Sequence, residues 1–173
     1  MLFRSQFPII GKLDLNTFAR DALVLPAKTL NVDISSQAID HIIDYTEGYP
    51  YFLQEYGKFL WDEASDSPIS VTIAKEVEPL VEAKLDNSFF RVRVDRTTEL
   101  ELKYLFAMAR LGLHPQKASD VAKVLGRSTE QVGPIRSRLI NKGLLYTPGH
   151  GYAAFTVPQF DRYLLRRHSD LCE

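Results

Sequence analysis

Residues Lys117 to Pro158 read KASDVAKVLGRSTEQVGPIRSRLINKGLLYTPGHGYAAFTVP. Ser119 to Leu125 carries a short helical pattern that ends at Gly126. Ser128 is placed to cap a second helix reaching Lys142, and Gly143 terminates it. Leu144 to Tyr146 then reads as a strand, and Tyr152 to Val157 as the strand that returns. Between them Pro148-Gly149-His150-Gly151 forms a hairpin tip, where glycine supplies positive φ. Helix, turn, helix, strand, wing, strand is the order of a winged helix-turn-helix. That architecture presents one helix and one hairpin to a partner, most often DNA.

The second of these helices must bury one face and offer the other. Val132, Ile135, Leu139 and Ile140 recur at helical spacing and are expected to point inward. Thr129, Gln131, Arg136, Arg138 and Lys142 are left to face outward or sideways. Arg can bridge guanine O6 and N7, Gln can pair with adenine, and Lys and Arg can hold phosphates. Arg127 and Ser128 lie in the turn, beside the helix N-terminus where an anion is favoured, and His150 sits at the wing tip. These eight residues are the candidate double-stranded DNA contacts. Two features favour the alternative, a winged helix that contacts only protein. Pro134 removes a donor early in the helix, and no Lys or Arg stands at the wing tip.

Working outward, Pro158 opens a last helix, Gln159 to Arg167, with Phe160, Tyr163 and Leu164 on one face. Upstream, Thr98 and Glu101 fit a capping box that starts a helix through Leu111, with Leu102, Leu105, Phe106 and Ala109 as its inner stripe and Gly112 as its stop. The N-terminal half reads as helical throughout. Asn16 caps a helix that Pro26 stops; Ser35 or Ser36 caps a second through Thr46; Pro50 opens a third, rich in Phe52, Leu53, Tyr56, Phe59, Leu60 and Trp61. Thr72 caps a fourth toward Leu85, with a kink or break expected at Pro79. Asp86 to Arg96 reads as the joint, with Phe89 and Phe90 packed between the halves. The expectation is a mainly α chain in three parts: an N-terminal extension (1–13), a small helical domain (14–88) and a winged helix-turn-helix domain with a short β-hairpin wing (89–173).

Composition narrows the function classes. At 173 residues, 45% hydrophobic and 25% charged, the chain is an ordinary globular sequence with room for two small cores. It contains no apolar run long enough for a membrane span, so no membrane partner is expected. Cys172 is the single cysteine, which excludes an internal disulfide and makes a reducing, cytoplasmic setting the default. The four histidines, His41, His114, His150 and His168, lack metal-ligand spacing, and no nucleophile motif is present, so neither a metal site nor a catalytic residue is expected. The net charge of −1 is unevenly spread. Residues 1–96 carry 10 basic and 15 acidic side chains, residues 97–173 carry 11 and 7. Any approach to phosphates is therefore expected from the C-terminal half.

Two sets of motifs occur together in order. The first is Thr46-Glu-Gly-Tyr-Pro-Tyr-Phe-Leu-Gln54 with Tyr56, Gly57 and Trp61. The second is Phe106-Ala-Met-Ala-Arg-Leu-Gly112, Arg136-Ser-Arg-Leu-Ile-Asn-Lys-Gly-Leu-Leu-Tyr146 and Phe155-Thr-Val-Pro158. Over about residues 14 to 167 the chain thus resembles the C-terminal region of prokaryotic AAA+/STAND-type ATPases, related in architecture to the Orc-type initiators. The resemblance implies a helical lid followed by a winged helix, with ATP and Mg held by the ATPase core of an intact protein. It assigns Gly48, Tyr49 and Pro50 to a nucleotide-sensing turn at a helix N-terminus, although helix-capping chemistry alone also explains Gly48 and Pro50. The chain departs from the family in lacking a G-x-x-x-x-G-K-[ST] loop and a strand ending in paired acids. The expectation is a non-catalytic C-terminal piece, or a protein without its ATPase core, that holds no cofactor itself and reports to a core or to DNA.

Overall fold

The computed structural model describes Asp14, Leu15 and residues 17–169, so the extension, the Asn16 cap and Cys172 lie outside the described residues. The fold is mainly helical with one small antiparallel sheet. The chain divides into two compact units, Met1–Ala83 and Lys84–Glu173, a division somewhat earlier than the joint read from the sequence.

The first unit holds α1 (Phe18–Thr29), α2 (Ser36–Thr46), α3 (Pro50–Glu63) and most of α4 (Val71–Lys84). Ser35 caps α2 by accepting a hydrogen bond from the Ala38 N–H. Three expectations need correcting. Pro26 does not stop α1, which runs on to Thr29, because a proline in the last turn removes only one intrahelical bond. Pro79 likewise lies within α4 without ending it. The α4 N-terminus is held by Ser70, whose Oγ accepts from the Ile73 N–H, rather than by Thr72. The core is apolar: Leu23, Ile42, Phe52, Leu53, Leu60, Ala74, Val77 and Val81 are buried around Tyr56. Tyr56 donates its hydroxyl to the Ala74 carbonyl at 2.6 Å, and burial pushes its pKa well above the usual phenol range. Trp61 is 44% exposed, so the aromatic content of α3 is only partly core.

The second unit contains the residues read as a joint, and they are helical. Leu85–Phe90 forms a π-helical turn and Arg91–Val94 a short α5. Within this unit Phe90 stacks on Phe160 and Tyr163, with ring centroids 5.8 and 5.1 Å away. Then come α6 (Glu99–Leu111), β1 (Gln116–Lys117), α7 (Ala118–Val124), α8 (Thr129–Asn141), β2 (Leu145–Tyr146), β3 (Tyr152–Phe155) and α9 (Phe160–Arg167). The strand β1 went unread in the sequence, because two residues carry no periodicity. It pairs with β3 through Gln116–Ala153 and Lys117–Tyr152, and β2 pairs with the other edge through Leu145–Phe155 and Tyr146–Ala154. The sheet order β1-β3-β2 behind three helices is the winged-helix arrangement that the Lys117–Pro158 pattern suggested. Pro134 leaves α8 unbroken, since the Ser128–Gln131 capping box supplies two hydrogen bonds at the start of the same helix.

Candidate functional site

The eight winged-helix candidates were expected to face a partner, but the structure divides them. Gln131 uses its side chain on its own helix: Oε1 accepts from the Ser128 N–H at 3.0 Å, while Ser128 Oγ accepts from the Gln131 N–H at 3.4 Å. Arg136 turns toward the wing. Its Nη2 donates to Thr147 Oγ1 at 2.9 Å and to the Tyr152 carbonyl at 2.6 Å, tying α8 to both strands' ends. Arg138 and Lys142, one helical turn apart, both reach Glu101 on α6. Arg138 Nε lies 3.2 Å from Glu101 Oε1, and Lys142 Nζ 2.6 Å from Oε2 and 2.8 Å from the Arg96 carbonyl. Arg127, Thr129 and His150 are exposed.

Glu101 is therefore the centre of this face, and its role went beyond the capping expected of it. Its side chain is only 1% exposed. Besides Arg138 and Lys142 it accepts from the Thr98 N–H at 2.8 Å, completing the capping box. Burial alone would raise its pKa. The hydrogen bonds from Lys142, the Thr98 backbone and Arg138 outweigh that and hold it at about 2. The buried face of α6 is wider than the expected stripe: Leu105, Phe106 and Ala109 are buried as read, Glu101, Tyr104, Ala107 and Met108 are buried as well, and Leu102 is half-buried. A capping glutamate with basic residues forty positions downstream is the only sequence signal for this hub, and spacing alone does not reveal the pairing.

What α8 does expose is nearly neutral. Thr129, Glu130, Pro134, Ser137, Arg138 and Asn141 are its exposed residues beside Gln131. Glu130 lies in the first turn, where a major-groove helix approaches the duplex most closely. The Ser128 hydroxyl and the backbone hold its carboxyl below the usual range, so it is ionised at neutral pH. An ionised carboxylate there repels phosphates and favours only cytosine among the base edges.

A second buried carboxylate repeats the Glu101 pattern. Asp86, on the π-helical turn and 2% exposed, lies 2.6 Å from Arg166 Nη2 and 2.9 Å from Arg167 Nε on α9. Four of the basic residues that make the C-terminal half positive thus neutralise carboxylates inside the unit.

In the first unit the Gly48-Tyr49-Pro50 turn has a defined geometry. Glu47 and Gly48 follow α2 with φ of 51° and 67°, both left-handed, and Pro50 occupies the first turn of α3. Glycine meets the second of these at no steric cost, whereas the non-glycine Glu47 takes on roughly 1 kcal/mol of strain. The Tyr49 N–H bonds back to the Thr46 carbonyl at 3.0 Å, and its ring meets Phe52 edge-on at 4.9 Å. Thr46, fully buried, donates its hydroxyl to the Ile42 carbonyl at 2.7 Å. His41 faces Glu78 of α4 at 2.9 Å.

Among the described residues no group of His, Cys, Asp and Glu is arranged to hold a metal ion, and no helix is long and apolar enough to cross a membrane. Residues 87–164 match the family model described as a domain of unknown function (DUF8462), a span inside the second unit that includes Glu101, Arg138 and Lys142. No curated protein matches the chain.

Proposed function

We propose that this chain is the non-catalytic lid and winged-helix region of an AAA+/STAND-type ATPase, and that its winged helix works by docking on protein rather than by reading DNA bases. The lid assignment is supported by the resemblance over Thr46 to Gln54 together with the left-handed Glu47-Gly48 pair that delivers Pro50 to the start of α3. In the intact protein, ATP and Mg belong to the ATPase core, and Gly48, Tyr49 and Pro50 face its nucleotide. Movement of the lid then biases where the winged helix sits. A cytoplasmic setting accompanies this reading.

The single observation that carries the docking half is the engagement of Arg136, Arg138 and Lys142 within the unit. A recognition helix needs its cations free for phosphates and base edges. Here they hold the wing and neutralise a buried carboxylate, and the exposed face of α8 offers Glu130, Pro134 and Ser137 beside the paired Arg138. A second reading, duplex DNA held through its backbone alone, rests on exposed Arg127, Thr129 and His150.

Titration of fluorescent duplex DNA with the purified chain, at low and then physiological salt, separates the two. The docking reading expects no saturable binding. Binding that collapses steeply with salt, and that Arg127→Ala weakens, supports the backbone reading and overturns the docking one. For the ATPase assignment, an in-frame G-x-x-x-x-G-K-[ST] loop encoded upstream of the Met1 codon supports it; an in-frame stop directly upstream overturns it.

A further inference from the structure

We infer that the second unit carries a phosphate-binding pocket at the corner where α5 meets the end of α8. This goes beyond the docking reading and does not rest on it. A cleft of about 270 Å³ is lined by Val92, Arg93, Arg96, Lys142, Gly143 and Leu144. Three of the six are cations and none is a carboxylate. The volume admits a phosphate group with part of its water shell.

Two of the cations are fixed before any ligand arrives. Lys142 Nζ is anchored between Glu101 Oε2 and the Arg96 carbonyl, at 2.6 and 2.8 Å. Arg93 Nη1 donates to the Phe89 carbonyl at 2.7 Å, and its guanidinium lies 3.6 Å from the centre of the Phe89 ring. Long basic side chains ordinarily lose rotamer freedom on gripping an anion; here that ordering is already done. Arg96 is exposed, and its guanidinium is free to close on the ligand. Its planar fork matches two oxygens of one phosphate.

The surroundings favour the same ligand. Glu101, the carboxylate that holds Lys142, is shared with Arg138, so two cations meet one carboxylate and that cluster keeps a net positive charge. Gly143 on the pocket wall has φ of 71°, and a Cβ placed on it would meet nothing within 4 Å. That wall leaves room for the ligand, while the Gly143 and Leu144 N–H groups already donate to the Ile140 and Leu139 carbonyls, so the side-chain cations make the contacts. The carbonyl end of α8 would repel an anion. Lys142, at the C-cap of that helix, offsets it.

The ligand class is a phosphate oxyanion, whose source can be a phosphomonoester or a nucleic-acid phosphodiester. The test is amide chemical-shift mapping of the whole chain titrated with sodium phosphate against sodium chloride at matched ionic strength. Saturable shifts at Val92, Arg93, Arg96, Gly143 and Leu144 are expected with phosphate and not with chloride. Arg96→Ala, an exposed position outside the core, is expected to weaken the apparent affinity roughly tenfold, while Arg110→Ala leaves it unchanged. O-phosphoserine and dimethyl phosphate then separate the sources: the tighter of the two names the ester. Identical shifts in chloride and phosphate, or an Arg96→Ala titration superimposable on the parent, would overturn the pocket.

Discussion

The two units of this chain hold themselves together differently. The first closes on apolar side chains, with Phe52, Leu53, Leu60 and Ile42 beside one buried phenol and no ionised group buried among its described residues. The second buries three carboxylates, Glu101, Asp86 and Asp161, and the first two are each met by two basic side chains from a helix distant in sequence. The difference bears on function. A basic surplus in one half of a sequence suggests a surface for phosphates, yet Arg138, Lys142, Arg166 and Arg167 are occupied within the unit. Charge counted along a chain is not charge presented to a partner.

The largest effect should come from the apolar unit. Phe52→Ala empties a fully buried ring site and is expected to cost about 4 kcal/mol, read from urea unfolding by the fluorescence of Trp61, the single tryptophan. That loss should be indifferent to salt and to pH between neutrality and mild acid. A strong salt dependence would erase the contrast between the units.

In the second unit Glu101→Ala strands Arg138 and Lys142 and removes half of a capping box, at an expected cost of about 3 kcal/mol. Glu101→Gln, which keeps the cap, should cost visibly less. Thermal unfolding by circular dichroism ranks the two variants, and equal losses would mean that the charge contributes little.

The pH response sharpens the comparison. Glu101 has a folded pKa of about 2, below the usual 4.5. The unfolded state then takes up the proton first, so the stabilisation is complete above about pH 5 and is lost as pH falls toward about 2. Acid titration of stability should be steeper in that window for the parent than for Glu101→Gln. Parallel curves would show that Glu101 titrates normally.

The smallest effect is expected at Tyr56→Phe. It removes one buried hydrogen bond to the Ala74 carbonyl and should cost about 1 kcal/mol, again reported by Trp61.

Much of this fold was legible in the sequence, and the exceptions share causes. The capping residues Ser35, Thr98 and Ser128 mark helix starts by local chemistry, and all three act as caps. Pro26 and Pro79 misled because tertiary packing carries a helix through a single missing donor. The Asp86–Arg96 segment read as the joint of the halves, and the bonds of Asp86 and the stacking of Phe90 on α9 side chains are visible only once α9 is folded against them. For the candidate site, the sequence placed the basic residues on α8 but not the partners of their side chains. Outward spacing is periodic and local. The partners of Arg136, Arg138 and Lys142 lie 11 to 46 residues away, where periodicity says nothing.

The central claim is that the basic residues of α8 serve the fold. A double-mutant cycle between Glu101→Gln and Lys142→Met, measured by chemical denaturation, tests it most directly. The account predicts a coupling of at least about 1 kcal/mol. Additivity of the two losses to within about 0.3 kcal/mol would contradict it.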